Sequence, residues 1–217
     1  LNRKPNVYVL AGVNGAGKSS IGGAFLTQYR LPWYNPDTFA RALRTECGMS
    51  PLDANSEAWQ EGTRQLDETL TRHQPFAFET TLGGTTVCQK IRKACETHHV
   101  RIWYCGLSSP EQHIRRVQLR VARGGHAIPT EKILARWQTS RANLVTLLPF
   151  LTELSVFDNS RDVHPGEPIP EPKRVLHIKD HSLIYPRTTT LLTDTPEWAQ
   201  PTVERALQWC THPQRTH

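Results

Sequence analysis

The sequence predicts an α/β fold, a mainly parallel sheet wrapped on both faces by helices. Two observations carry this. Apolar, β-rich runs alternate with helix-like segments along most of the 217 residues, the pattern of a parallel sheet with crossover helices. Between the first such run and the first helix-like segment stands Gly12-Val13-Asn14-Gly15-Ala16-Gly17-Lys18-Ser19, a GxxxxGK[ST] loop in strand–loop–helix context.

The elements follow in order. Strands are predicted at Val7–Ala11, Pro32–Asn35, Phe76–Thr80, Val100–Leu107 and Glu153–Asp158. Each is a short apolar run bounded by turn residues, as suits strands buried on both faces. Helices are predicted at Lys18–Tyr29, Asp37–Cys47, Asn55–His73, Thr85–Thr97, Pro110–Arg123 and Thr130–Leu148. Asp162–Pro172, with four prolines, reads as a surface loop. Arg174–Lys179 and Ser182–Tyr185 read as a small hairpin, and Glu197–Trp209 as a closing helix. The length suits a single domain, 1–217, with a core over 7–160 and a C-terminal extension over 161–217.

Composition narrows the class. No run of about 18 apolar residues occurs, which excludes a helical membrane span. The polar start, leading straight into the first strand, leaves no room for a secretory signal. Five cysteines (Cys47, Cys88, Cys95, Cys105, Cys210) form no CxxC pair, the usage of reduced thiols in a cytoplasmic protein. No Cys/His cluster has zinc-ligand spacing. His177 and His181 are four apart, but Lys179-Asp180 between them reads as a hairpin turn. The formal charge is +6, and 19 of the 26 basic residues are Arg, which favours an anionic substrate or partner.

Four constellations carry chemistry. In the glycine loop, Gly12, Asn14, Gly15, Ala16, Gly17, Lys18, Ser19 and Ser20 are the expected nucleotide-binding residues. Backbone N–H groups and the following helix N-terminus would face phosphate, Lys18 would reach the β- and γ-phosphates, and Ser19 would hold Mg²⁺. The second strand ends in Tyr34-Asn35-Pro36-Asp37. At the carboxyl end of a strand, Asp37 would face the loop's crevice and could take a proton from an attacking hydroxyl. Equally, Asn35 or Asp37 could cap the next helix, with Pro36 in its first turn. The third strand ends in Glu79-Thr80-Thr81-Leu82-Gly83-Gly84, where Glu79 is either a ligand of Mg²⁺ through water, a grip on a substrate hydroxyl or a surface carboxylate. Finally, Arg116, Arg120 and Arg123 share a helix face, away from Ile114, Val117 and Val121, before Gly124-Gly125. That arrangement fits a hinged cationic lid that stabilises a transferring phosphoryl group, or a solvated or nucleic-acid-binding basic face.

The set GVNGAGKSS, NPDTFA, FAFETTLGG and RVARGGHAIP…RWQTSRANL resembles the zeta-toxin-like P-loop kinases, over roughly residues 7 to 160. The resemblance implies a P-loop kinase-type three-layer sandwich with about five strands, using ATP and Mg²⁺. It implies transfer of the γ-phosphate to a hydroxyl of a nucleotide sugar, the family's best-known substrate being the 3′-hydroxyl of UDP-N-acetylglucosamine, an attack that starves peptidoglycan synthesis. By motif, Lys18 and Ser19 match the ATP·Mg²⁺ loop, Asp37 the base, and Glu79, with Thr80 and Thr81, the substrate-binding stretch. Arg120 and Arg123 are the favoured lid arginines, with Arg116, His126 and Arg136 in reserve. The resemblance also brings a small antitoxin as a partner. The chain is shorter than the larger toxins and its tail from about Asp162 has no match, so the acceptor can differ. A polynucleotide, RNA or dinucleotide kinase and a regulatory NTPase are the alternatives; no aromatic stacking platform in a basic groove supports the nucleic-acid reading. Asp158-Asn159-Ser160 follows the last parallel strand, where such kinases place residues near the adenine.

Overall fold

The computed structural model describes residues 4–19, 21–22, 32–161, 170–187 and 192–211. It contains a six-stranded sheet. The strands are β1 (Asn6–Ala11), β2 (Phe76–Thr80), β3 (His99–Gly106), β4 (Glu153–Asp158), β5 (Lys173–Lys179) and β6 (Ser182–Tyr185). The spatial order is β2-β1-β3-β4-β5-β6. The first four run parallel, and β5 and β6 add antiparallel to the β4 edge. The small hairpin expected over 174–185 therefore continues the main sheet. Asp180 and His181, at φ 47° and 62°, turn it in the primed geometry that matches strand twist.

Predicted strand Pro32–Asn35 is reduced to one residue. Tyr34 bridges Phe78 in parallel, its N–H donating to the Ala77 carbonyl at 2.8 Å and its carbonyl accepting from Glu79 N–H at 2.9 Å. Pro36 removes the next N–H and starts a helix, so the pairing cannot extend.

The helices are α1 (Pro36–Glu46), α2 (Pro51–Arg72), α3 (Thr85–Thr97), α4 (Pro110–Ala122), α5 (Thr130–Leu147) and α6 (Gln200–Thr211). Of the helix predicted over 18–29, Lys18, Ser19, Ile21 and Gly22 are helical; Ser20 and residues 23–29 lie outside the described residues, as does 162–169 of the predicted proline-rich loop. Helix α2 begins four residues before its predicted start. Ser50 accepts from Asp53 N–H at 3.1 Å, with Pro51 at the first position, a capping pair that fixes the start ahead of the apolar periodicity.

Period-two alternation splits the sheet's side chains between two cores. Val7, Val9, Phe78, Ile102, Tyr104, Leu154 and Val156 face α2, α3, α5 and α6, which supply Leu66, Ile91, Leu144 and Trp209. Tyr8, Leu10, Ala77, Trp103 and Cys105 face the other way, with Ala16 and Ile21. The tail is part of the first core. Trp198 packs so closely on Gly106 that a Cβ there would lie 2.3 Å from the indole, and its Nε1 donates to Asp158 at 3.0 Å. Helices α1 and α2 pair through a small apolar cluster of their own, Ala40, Ala54 and Ala58. His177 and His181, weighed for a metal, are engaged apart. His177 contacts Glu153 at 2.9 Å, and His181 packs edge-on against Trp209.

Candidate active site

The glycine loop leaves the carboxyl end of β1, where open α/β sheets place their ligands. Gly12 (φ 141°) and Gly17 (φ 87°) take conformations closed to other residues. A Cβ on Gly12 would stand 2.2 Å from the Cys105 carbonyl oxygen. The loop's carbonyls are bound from beneath. His113 on α4 donates from Nδ1 to the Asn14 carbonyl at 2.8 Å. The Ala16 carbonyl accepts from Asn159 Nδ2 at 2.9 Å and from the Cys105 thiol at 2.9 Å. With its carbonyls tied down, such a loop presents N–H groups to an anion. Burial lowers the His113 pKa to about 4, against a raising contribution from its bond to Asn14, so the imidazole is neutral at pH 7. Burial likewise pushes the Cys105 thiol up to about 12, which keeps it protonated as a donor. Asn159 and Asp158, expected near the adenine, are thus occupied with the loop and with Trp198.

Lys18, only 7% exposed, lies 3.5 Å from the Val13 carbonyl and 3.5 Å from Glu79 Oε1. Both contacts are long, so its ammonium is available to a closer anion. Glu79, also 7% exposed, accepts at Oε2 from Ser19 Oγ at 3.2 Å and from Asn35 Nδ2 at 3.0 Å. Its surface-carboxylate reading is thereby set aside. Asn35 also caps α1, its Oδ1 accepting from Asp37 N–H at 2.9 Å and Thr38 N–H at 3.2 Å. Asn35 takes the cap, and Asp37 in the first turn lines the cavity in front of the loop.

That cavity, about 270 Å³, is lined by Asn14, Lys18, Asn35, Asp37, Glu79, Thr80, Thr81, His126, Lys132 and Arg136, with Leu52 and Trp59 on α2. Thr80 and Thr81 lend backbone order as well: Thr80 Oγ1 accepts from Leu82 N–H at 3.0 Å, and the Thr81 carbonyl accepts from Ser140 at 2.6 Å.

The arginines divide. Arg120 reaches Asp37 at 3.7 Å and the His126 carbonyl at 3.5 Å. Arg123 is exposed at the end of α4 and lies off the cavity wall. Arg116 donates to the Arg161 carbonyl at 3.1 Å. Arg136 on α5, one of the reserves, enters the cavity and donates to Asn14 Oδ1 at 2.8 Å. Burial lowers its pKa, opposed by the Asp37 carboxylate. Burial also lowers that of His126, again opposed by Asp37 and reinforced by Arg120, Arg44 and Arg136.

Lys132, Trp59 and His113 join the site without having been singled out in the sequence, and Asn35 gains a second role. His113 had a signal: it precedes Val117 by four on the buried stripe of α4. The residues fit a Mg²⁺ nucleotide. The Ser19 hydroxyl stands beside the loop lysine, a ligand suited to a Mg²⁺ ion that keeps substrate phosphate and water as its other ligands.

No family model matches the chain. It is 25% identical over 127 residues, 58% of its length and 88% of the relative's, to an uncharacterized protein of Haemophilus influenzae. Among solved structures it is similar to the AvrRxo1-ORF1:AvrRxo1-ORF2 complex with sulphate ions, with TM-score 0.67 and 17% identity over 90% of this chain. The chain spans 64% of that protein's length. The PezAT toxin–antitoxin system of Streptococcus pneumoniae is similar at TM-score 0.53 and 15% identity, over 97% of this chain and 86% of that one. A kinase-like protein of Chloroflexus aurantiacus follows at TM-score 0.52 and 17% identity, over 61% of this chain and 76% of that one. At these identities the likeness concerns the fold alone, an α/β fold shared with these proteins.

Proposed function

We propose that the chain is an ATP-dependent kinase that transfers the γ-phosphate to a hydroxyl of a nucleotide sugar. One observation carries the reading: Lys18, Glu79, Asp37 and Arg136 converge on a single cavity in front of the glycine loop. An AvrRxo1-ORF1:-ORF2 complex crystallised with ATP is similar in fold, at TM-score 0.66 and 17% identity, which supports ATP as the donor.

In this reading the loop and Lys18 hold the β- and γ-phosphates, and Ser19 would hold Mg²⁺, which offsets phosphate charge. Glu79 orients the acceptor, with Thr80 and Thr81 beside it. Asp37 takes the proton of the acceptor hydroxyl as its oxygen attacks the γ-phosphorus, and ADP leaves. Arg136 and Arg120 stand where charge develops on the transferring group. Arg123, exposed at the lid's hinge, would act only if the lid closes. A small antitoxin protein is the proposed partner, supported by the likeness to the PezAT system.

The test incubates the protein with ATP·Mg²⁺ and UDP-N-acetylglucosamine and looks by mass spectrometry for the gain of one phosphate. Asp37→Asn should cut kcat by about 10²–10⁴-fold, the span of general-base catalysis. Undiminished turnover in that variant removes Asp37 as the base. No phosphorylated sugar in the wild type removes this acceptor.

A further inference from the structure

The residues after 170 extend the sheet, and one of them also reaches the support of the glycine loop. Trp198 stands in the short turn Glu197–Ala199 ahead of α6 and is 4% exposed. Three neighbours hold its indole. Gly106, at the end of β3, leaves room for it where any Cβ would lie 2.3 Å away. Tyr104 lies against it with ring centroids 6.2 Å apart. Asp158, at the end of β4, accepts from its Nε1 at 3.0 Å.

The end of β4 faces both ways. Period-two alternation turns Asp158 toward Trp198 and Asn159 toward the glycine loop. Asn159 N–H donates to the Gly106 carbonyl at 3.0 Å, so the β3–β4 ladder runs one residue past the strand. The Asn159 side chain then passes beneath the loop. Its Nδ2 donates to the Ala16 carbonyl at 2.9 Å, and a Cβ on Gly17 would stand 2.4 Å from that nitrogen. The Cys105 thiol shares the Ala16 carbonyl but is a weak donor, so Asn159 carries most of the restraint. Ser160 donates its hydroxyl to the same Asp158 oxygen as Trp198. Gln112 and Arg116 on α4 hold the far side of the turn through the Ser160 and Arg161 carbonyls.

The Ala16 carbonyl matters because a peptide group is planar and trans. Its C=O and the following N–H point in opposite directions. A carbonyl drawn down onto Asn159 therefore aims the Gly17 N–H the other way, toward the side where a phosphate oxygen would lie. If Asp158 shifts, Asn159 shifts with it, and the Ala16–Gly17 peptide loses its aim.

We infer that Trp198 is a positioning residue for the nucleotide loop. Through Asp158 it sets the turn from which Asn159 draws down the Ala16 carbonyl, so the C-terminal extension is part of the nucleotide site. The inference rests on the reading of the glycine loop as the ATP site. Changes in the tail then tune ATP affinity without touching the acceptor cavity, which neither Trp198 nor Asp158 lines.

The test uses the full chain. Trp198→Phe keeps a ring over Gly106 and removes the donor to Asp158. Asp158→Ala removes the acceptor and leaves the indole in the core. Trp209→Phe is the control, because Trp209 is equally buried in the same core but packs against His181 rather than on the turn. Calorimetry reads ATP·Mg²⁺ binding, hydrogen exchange reads the amides of Gly15 to Lys18 without nucleotide, and melting reads stability. A residue that acts on a site through packed neighbours shifts it by roughly 2- to 30-fold. Trp198→Phe and Asp158→Ala should each raise Kd for ATP by that factor and speed exchange of the loop amides. Trp209→Phe should lower Tm with neither change. Trp198→Phe added to Asn159→Ala should weaken ATP binding no further than Asn159→Ala alone, since both act on one carbonyl. Wild-type affinity and exchange in Trp198→Phe, additive losses in the double variant, or an equal loss of affinity in Trp209→Phe overturns the inference. Where the wild type binds no ATP, the nucleotide reading falls and exchange decides alone. Faster loop amides in Trp198→Phe and Asp158→Ala, but not in Trp209→Phe, keep the brace; unchanged ones overturn it.

Discussion

Asn35 joins two jobs that a pair of substitutions can separate. Its Oδ1 caps α1 through Asp37 and Thr38, and its Nδ2 donates to the buried Glu79 carboxylate at 3.0 Å. Removing a cap costs about 1 kcal/mol. Removing a hydrogen bond to a charged group costs about 1.5–3 kcal/mol. Asn35→Ala loses both, so about 2.5–4 kcal/mol; Asn35→Ser keeps a capping oxygen and loses only the donor to Glu79. In a chain of this size, about 1 kcal/mol moves Tm by roughly 2–4 °C. Asn35→Ala should therefore melt several degrees below wild type, and Asn35→Ser in between. Thermal unfolding followed by circular dichroism reads this. The kinetic arm is separate. With Glu79 released, Asn35→Ser should raise KM for the acceptor several-fold while KM for ATP stays near wild type. If Asn35→Ser and Asn35→Ala both melt with the wild type, these bonds contribute nothing. If KM for the acceptor is unchanged in both, Asn35 does not orient Glu79.

Three other outcomes follow from the same geometry. Gly12→Ala puts a Cβ against the Cys105 carbonyl at a φ of 141°; the strain and overlap should cost at least about 3 kcal/mol and abolish nucleotide binding by calorimetry. His113 has a folded pKa of about 4 against about 6.5 unfolded. Its stability contribution is whole above pH 6.5 and is lost as pH falls toward 4, by about 3 kcal/mol in total. His113→Asn, which keeps a donor for Asn14, should therefore show a flatter decline of Tm between pH 7 and pH 4 than the wild type. Arg136→Ala should lower kcat by about 10²–10³-fold, as for loss of one transition-state donor, while Arg123→Ala, off the cavity wall, should stay within a few-fold in the same coupled ADP-release assay.

Much of the scaffold was legible because it is local. Strands at 76–80 and 153–158 and the helix at 85–97 are apolar runs or periodic stretches bounded by turn residues, and they occur as read. Asp37 and Glu79 line the cavity, on the side where a rule of position, the carboxyl ends of strands, puts them. What was not legible depends on distant partners. Nothing in 173–185 announces that its hairpin extends the β4 edge. The arginine-bearing face before the Gly-Gly hinge points in sequence to Arg123, whereas Arg136 reaches the cavity from α5. On α5 buried Ile133 sits next to exposed Leu134, so the apolar stripe gives no sharp direction to the face Arg136 occupies. Trp59 reads locally as a core tryptophan of an ordinary helix; only the cavity in front of it explains its exposure.

Tyr34 pairs with the sheet by a single residue, and the two helices that follow share an alanine-rich contact of their own, while the second also reaches the main core through Leu66. That separates inheritance of the two halves of the site. The glycine loop and its braces belong to the sheet, where a change of residue disturbs everything around it. Asp37, Leu52 and Trp59 belong to a helical arm pinned at its root. Residues on that arm's inner edge, away from Leu66, can change without repacking the sheet, so one phosphate-handling core can be fitted to new acceptors there.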